Sequence, residues 1–544
     1  DSLPQIGRRR KMDSPLLFKI LLTWAGVLLI PLFLLIGRRG GRRQRRVARW
    51  SLLLGFALVV SASLGLAAVA ARESQPEAAS RPSFATNRLT AALPNLPMHD
   101  DAMVRFGCGF ALLVGLGLAP LVARERRERK AIHWSSLAAA VAGLMLTAAA
   151  GNLVLLVVGL EMVAWATHAM LLAGHPDRLA AETRLRYVLL GVLASALWLY
   201  AMSFVYGMAG STDLAAIRAA LSAPNHSSVP IDLAALTGVA VVLLVAALGI
   251  KITAAPFCLH AAGVWQTTTH GDAAFLAVLP KAAATLVLLR LLTAIPGGAI
   301  DASRLTAVLA VASMTYGNLM AIRQTNLRRW LAHVSIAETG FLLLAVSAAL
   351  TAACRPVPTI ASAAVLLQLA VSSVALLGTC AVLSRLESLE FPMDDVEQLA
   401  GLRRTHPALA AALAVFLLSL MGVPPLAGFW AKLTILAGPF DVAAADTAIV
   451  AATNAAADTA ASTATEFSQV WPIGLAIVAG ANLLIAAVYY VRLLDVIYFR
   501  LPLAMLRGQR SRAIGAVVTV CVILIVAVGL VLACSIAAPG CEAL

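Results

Sequence analysis

The sequence predicts an all-α polytopic membrane protein with about fourteen transmembrane helices, two inverted five-helix repeats, and broken helices in spans 7 and 12. Three observations carry that prediction. Hydrophobic residues make up 60% of the 544, while Asp, Glu, Lys and Arg together make only 13%, about half of the roughly 25% usual in soluble domains. The apolar residues fall into runs of roughly 20, the length that crosses a hydrocarbon core about 30 Å thick. The formal charge of +15 is gathered in short knots of Arg and Lys between those runs, which marks membrane topology and not a nucleic-acid-binding face. One soluble core cannot hide this much apolar surface, so a soluble enzyme is excluded.

In chain order the runs lie at 16–37, 51–72, 103–123, 134–150, 152–174, 187–208, 232–258, 272–295, 304–321, 331–352, 359–384, 407–436, 471–495 and 515–537. Residues 1–15 form an N-terminal extension, and 16–123 carry spans 1 to 3. A first repeat is expected over 134–295 (spans 4 to 8) and a second over 304–495 (spans 9 to 13, with an Ala-rich loop at 437–470), before a C-terminal span at 515–537. The loop after span 1 holds Arg38, Arg39, Arg42, Arg43, Arg45, Arg46 and Arg49, and the loop after span 3 holds Arg124, Arg126, Arg127, Arg129 and Lys130. Arg323, Arg328 and Arg329 follow span 9; Arg500, Arg507, Arg510 and Arg512 follow span 13. Even-numbered loops are nearly free of such residues, and the longest carries Asp441, Asp446, Asp458 and Glu466. Cytoplasmic loops keep the positive charge, which places both termini on the non-cytoplasmic side.

Four ionisable residues lie deep inside spans: Glu161, Lys251, Lys281 and Lys432. On insertion scales a charge at the centre of a membrane helix costs about 2.5 to 3.5 kcal/mol, so the four together cost on the order of 10 to 14 kcal/mol. Snorkelling or static pairing accounts for Lys19 and Arg290, near span ends. For the central four a proton relay is the stronger reading. Desolvation disfavours a buried ammonium and a nearby carboxylate favours it, so a lysine with a movable glutamate partner takes up and releases a proton. Glu161 is the sole acid in its span and is expected to pair with Lys251.

Backbone interruptions accompany these charges. Span 7 carries Pro256 five residues after Lys251; span 12 carries Gly422, Pro424, Pro425 and Gly428 just before Lys432. Such breaks are tolerated at membrane depth only where neighbours or a cavity satisfy the backbone. The broken spans are five helices apart, an odd number, so their surroundings are inverted, and paired broken helices in inverted repeats mark ion pathways. A chain of Glu161, Lys251, Lys281 and Lys432 is expected to run along the membrane plane.

Other chemistry is absent by spacing. Cys108, Cys258, Cys354, Cys380, Cys521, Cys534 and Cys541 form no CxxC pair, so neither a zinc site nor an iron–sulfur cluster is built from this chain. Isolated thiols are expected, with a Cys534–Cys541 disulfide as the alternative. No dinucleotide fingerprint, Walker loop or nucleophile elbow is present.

The segments KITAAPF (251–257), FLAVLPKAA (275–283) and GNLMAIRQTNLRR (317–329) resemble the subunit N family of proton-pumping NADH-quinone oxidoreductase, respiratory complex I. GLEM (159–162), RYVLLG (186–191), GSTDL (210–214) and GVPPLAGFWAK (422–432) extend the resemblance over residues 101 to about 500. It implies an antiporter-like membrane subunit in which Glu161 and Lys251 form a coupling pair, Lys281 is the central relay and Lys432 the exit or link. FMN, iron–sulfur clusters and quinone are then held by partner subunits, with no cofactor, metal or redox chemistry in this chain. The implied partners are other membrane subunits of complex I, including neighbouring antiporter-like ones, in the bacterial inner membrane, with no nucleic acid.

The chain departs from the family pattern in three places. After Phe257 the family reads His-x-Trp-x-Pro-Asp-Val-Tyr, where this chain has Cys258, His260, Gly263 and Trp265. A Gly-Ala-Pro-Thr-Pro segment is replaced by TTTHG (267–271), and Tyr-Ser-Ser-Ile-Ala-His by HVSIAE (333–338). His260, His270, His333 and Glu338 are therefore candidate substitute proton carriers, with drift of polar loop residues as the plain alternative. Two other functions stay open: a subunit of a multi-subunit Na⁺(K⁺)/proton antiporter, and a divergent, non-pumping structural paralogue.

Arg8, Arg9, Arg10 and Lys11 fall on the side opposite the other basic knots. Either Met12 is the natural start or residues 1–11 are a peripheral appendage; no cleavable signal peptide is expected, because span 1 is too long for an h-region. N-terminal sequencing of the native protein should begin at Met12 under the first version, and a chain starting upstream of it overturns that version.

Overall fold

The computed structural model describes residues 102–124, 130–173, 178–222, 233–295, 301–353, 360–387, 393–437, 461–502 and 511–537. Expected spans 1 and 2, the arginine knot at 38–49, residues 8–12, Lys19, Cys354, Cys541 and 438–460 lie outside them. Among the described residues ten helices are long and apolar enough to cross a membrane.

Helix α1 (Ala102–Val122) precedes a set formed by α2 (Lys130–Ala149), α3 (Leu153–Leu172), α4 (Arg178–Ala209), α6 (Leu233–Lys251) with α7 (Ala261–Gln266), and α8 (His270–Ala294). A short α5 (Leu214–Ser222) fills the loop after α4. The second set is α9 (Ala302–Arg323), α10 (Leu327–Ala353), α11 (Ile360–Leu386), α13 (Pro407–Met421) with α14 (Ala427–Ala437), and α15 (Ala461–Tyr498), after which α16 (Arg512–Ala537) closes the fold. A four-residue α12 (Leu402–Thr405) lies before α13.

Two helices begin well before the expected boundaries: α4 at Arg178 and not 187, α15 at Ala461 and not 471. Hydropathy stops at charged residues, whereas backbone hydrogen bonding does not. The first turns of α4 carry an exposed pair between Arg186 and Glu182 at 2.5 Å, one helical turn apart, a spacing that supports a helix.

The two sets repeat one plan. Asn152 caps α3 by accepting from the Leu155 N–H at 2.8 Å, and Asn326 accepts from the Arg329 N–H at 3.1 Å at the start of α10. Each asparagine also forms a β-bridge to the loop two helices on, Asn152 with Asp213 and Asn326 with Asp395. The first two helices of each set pack backbone to backbone through glycine. A Cβ on Gly143 of α2 would stand 2.8 Å from the Gly159 carbonyl oxygen of α3. On Gly317 of α9 it would stand 2.5 Å from the Ala337 nitrogen and 2.8 Å from the His333 carbonyl oxygen of α10. Small residues permit this approach where apolar burial gives no preference for helix over lipid.

Both expected breaks are present. Helix α6 stops at Lys251, and a 3₁₀ turn over Phe257–His260 leads into α7. The freed backbone finds partners on α9 and α10: the Ala255 N–H donates to Ser313 Oγ at 2.9 Å and Thr339 Oγ1 to the Ile252 carbonyl at 3.4 Å. Helix α13 ends in Gly422 at φ 86°, a left-handed conformation that favours glycine. At the centre α8 is buried at every position but Thr293 and α10 nearly so, while α4, α15 and α16 turn apolar residues such as Leu189, Leu484 and Val531 outward.

Arg290 does not snorkel. It is buried near the end of α8 and its Nη1 donates to the Ala150 carbonyl at 2.6 Å, just past the last residue of α2, where carbonyls lack intrahelical donors. The described cysteines are free thiols.

Replacing Gly317 by Leu should force α9 and α10 apart. Overpacking of this kind costs about 1 to 3 kcal/mol, so the purified variant should melt several degrees lower, as read by thermal unfolding in detergent.

Candidate functional site

The first charged pair joins three helices. Glu161 lies mid-way along α3, Ser195 on α4, and Lys251 ends α6, where a cation faces the negative end of the helix dipole. Lys251 Nζ donates to Glu161 Oε1 at 2.8 Å and to Ser195 Oγ at 3.0 Å, and Ser195 Oγ donates to Glu161 Oε2 at 2.8 Å. The Lys251 side chain is 7% exposed and that of Glu161 20%, so the pair sits at the edge of the bundle.

Lys281 follows Pro280 within α8 and is buried. Its Nζ donates to the Ser335 carbonyl at 2.9 Å and to Ser335 Oγ at 2.8 Å, both on α10. A cavity of about 10 Å³ has Lys251, Lys281 and Ser335 on its walls, and a second of about 30 Å³ borders Lys251, His168, Tyr187 and His260. The larger has room for a water molecule and the smaller is at the lower limit. Lys251 and Lys281, thirty residues apart in sequence, therefore share one small void.

The second pair is the more enclosed. Lys432 of α14 donates to Glu338 Oε1 of α10 at 3.0 Å, with both side chains 4% exposed. Gln368 Nε2 of α11 donates to Glu338 Oε2 at 2.8 Å. Lys432 also donates to the Leu420 carbonyl near the end of α13 and lies over the Phe341 ring, 4.7 Å from its centroid. The break supplies that acceptor: with α13 ended at Met421, the Leu420 carbonyl has no helical donor of its own.

The expected Glu161–Lys251 contact is present, but no direct contact joins Lys281 to Lys432; Glu338 and Ser335 occupy the space between them. Among the other candidates, His260 packs at a tilt against Tyr187 with ring centroids 5.4 Å apart and borders the Lys251 cavity. His270 instead holds the Met393 carbonyl at 3.2 Å by Nε2 at the start of α8, eleven residues from Lys281. His333 packs edge-on to Tyr316 at 5.9 Å. Pro256, Gly422, Pro424, Pro425 and Gly428 lie at the two breaks as expected; a Cβ on Gly428 would overlap the Ser419 carbonyl, so α14 folds tightly back on α13.

Sequence reasoning missed Ser195, Ser335 and Gln368. Gln368 had a signal, being the one side-chain amide in its apolar run; a serine in a membrane helix is too ordinary to carry one. It also missed a polar cluster at the helix ends on the predicted cytoplasmic side. There Arg328 meets Glu387 at 2.5 Å and Asp394 at 3.4 Å, Arg124 donates to Ser384 Oγ and the Glu387 carbonyl, and His133 meets Asp272 at 3.1 Å. Burial raises the Glu387 carboxyl above the usual carboxylate range, opposed by Arg328 and Arg124.

Comparison with known proteins gives a consistent picture. The family model described as NADH:quinone oxidoreductase/Mrp antiporter, TM, matches residues 150–456. NADH-quinone oxidoreductase subunit N 1 of Sorangium cellulosum is 31% identical over 434 residues, covering 77% of this chain and 78% of that protein. Subunit N of Rhodospirillum rubrum is 30% identical over 424 residues, covering 76% and 78%. A chain of respiratory complex I from Thermus thermophilus superposes with a TM-score of 0.69 at 26% identity, over 95% of this chain and 99% of that one. A chain of the Mrp complex from a Dietzia species shares the fold, with a TM-score of 0.73 at 17% identity over 96% of each. By sequence and by fold, the chain belongs to the NADH:quinone oxidoreductase/Mrp antiporter family of membrane subunits, on its NADH-quinone oxidoreductase subunit N branch.

Proposed function

We propose that this chain is a proton-translocating membrane subunit of an NADH-quinone oxidoreductase, assembled with other membrane subunits of that complex. Glu161, Lys251, Lys281 and Lys432 carry the proton in this reading. The observation that carries it is the union of Glu161 and Lys251 at 2.8 Å beside a void that reaches Lys281. Electron transfer from NADH to quinone takes place in partner subunits, which hold FMN and iron–sulfur clusters.

The steps follow from the cost of an unpaired charge. With Glu161 in contact, Lys251 is stable as an ammonium despite its burial. Drawing Glu161 away leaves that ammonium without an anion in a medium that solvates it poorly. Its proton then passes through the shared void to Lys281, whose amine already has Ser335 as a hydrogen-bond partner. Each such charge moved against 100 mV needs about 2.3 kcal/mol, and redox chemistry in the partners is the source.

The antiporter reading uses the same architecture, but the relatives at 30% identity or more are named as subunit N, which favours the oxidoreductase.

Lys281→Met in the native complex should lower coupled quinone reduction and proton uptake about tenfold or more; unchanged pumping sinks the relay. Ser195→Ala, which keeps the direct Glu161–Lys251 contact and loses the bridging hydroxyl, should slow pumping only a few-fold, in keeping with ~1 kcal/mol per hydrogen bond. Ion-dependent currents that follow sodium and not protons would favour the antiporter.

A further inference from the structure

The second repeat holds a counterpart of the Glu161 site. Glu161 and Glu338 are both on the second helix of their set, α3 and α10; Ser195 and Gln368 are both on the third, α4 and α11; Lys251 and Lys432 both adjoin the break in the fourth span. The glycines that bring each carboxylate-bearing helix against its neighbour, Gly159 and Gly340, lie two residues from Glu161 and Glu338. Resting on the relay proposed above, we propose that Glu338 is a second proton-carrying carboxylate between Lys281 and Lys432, positioned by Gln368, so that each repeat works through its own carboxylate–lysine pair.

Geometry supports both halves of the transfer. Ser335, which holds the Lys281 amine, is three residues before Glu338 on α10, and residues at that spacing share a helix face about one turn apart. On its other side Glu338 contacts Lys432 directly at 3.0 Å. Gln368 suits a group that changes protonation state. Its amide donates to the carboxylate as found, and after a flip its oxygen accepts from the carboxylic acid. An arginine there would hold the anion alone.

In the step, an N–H bond of the Lys281 ammonium breaks and an O–H bond forms on Glu338, leaving a neutral amine and a neutral carboxylic acid. Lys432 then faces an acid in place of an anion, and one of its N–H bonds breaks as a water molecule on the side away from Glu338 takes the proton. The Glu338 proton moves to the Lys432 amine, and the ion pair is restored. One proton has crossed from Lys281 to beyond Lys432, and no charge has been created.

A purely static pair is the competing account, and buried ion pairs are weak evidence for stabilisation. The test uses the assembled complex in native membranes, comparing Glu338→Gln, Glu338→Asp and Gln368→Leu with Lys281→Met. Protons moved per NADH oxidised are read together with redox-induced infrared difference spectra of the carboxylic acid band. Glu338→Gln should lower proton movement about as far as Lys281→Met, roughly tenfold or more, and remove one carboxyl signal, while Glu338→Asp regains part of both. If Lys281→Met stops pumping but Glu338→Gln pumps normally with its carboxyl signal intact, Glu338 is not a carrier and the four-residue relay stands. If Lys281→Met is without effect, the relay itself falls. Should Glu338→Gln fail to assemble, Gln368→Leu decides: both charges remain, so slowed pumping with a shifted carboxyl band supports the proposal and normal values for both overturn it.

Discussion

A lysine amine held away from water must be ligated, and the interior of this protein is organised around that requirement. Lys251, Lys281 and Lys432 each meet at least two oxygen acceptors at close range. Those acceptors lie on helices other than the lysine's own, so satisfying the lysines also determines which helices meet. Lys251 draws in α3 and α4, Lys281 draws in α10, and Lys432 ties α14 to α10 and α13. An apolar protein in lipid gains little from burying more hydrocarbon. Glycine-mediated approach and these polar contacts supply the specificity that hydrophobic burial provides in water.

The breaks belong to the same arrangement. A continuous helix keeps its carbonyls for its own amides, whereas a helix that stops at mid-membrane releases several. Helix α13 uses one, at Leu420, for Lys432, and the first break uses α9 and α10 to satisfy Ile252 and Ala255. At the second break the absence of a Cβ on Gly422, which would stand 3.2 Å from Lys432 Cδ, leaves room for the lysine, and the ended helix furnishes the Leu420 carbonyl beside it.

Much of this was legible in the sequence because charge and proline are conspicuous against an apolar background. The four buried charges, the two breaks and the Glu161–Lys251 partnership all follow from position along the spans. Glu338 stands out in the sequence only as a departure from the family pattern, although the helix that carries it, α10, starts at Leu327 and places it near mid-helix. Gln368 and Lys432 are 30 and 94 residues from Glu338 in sequence, and nothing local announces that they converge. Ser195 and Ser335 were illegible for another reason: a serine commonly bonds to its own helix backbone, as Ser372 does here, and the sequence does not separate that role from ligating a lysine.

The two carboxylate–lysine pairs share a plan but not an environment. Glu161 is 20% exposed at the outer face of α3, where Val158 and Trp165 of the same helix are exposed as well. Glu338 and Lys432 are 4% exposed, roofed by Gln368, Phe341 and the Leu420 carbonyl. Electrostatic influence from outside the chain falls on the first pair with one side unshielded and reaches the second only through intervening protein. A charge brought up to α3 therefore perturbs Lys251 first. Lys432 responds to what happens on its own side, at Glu338. The difference leaves the edge pair open to a neighbour and the inner pair open only to the residues around it.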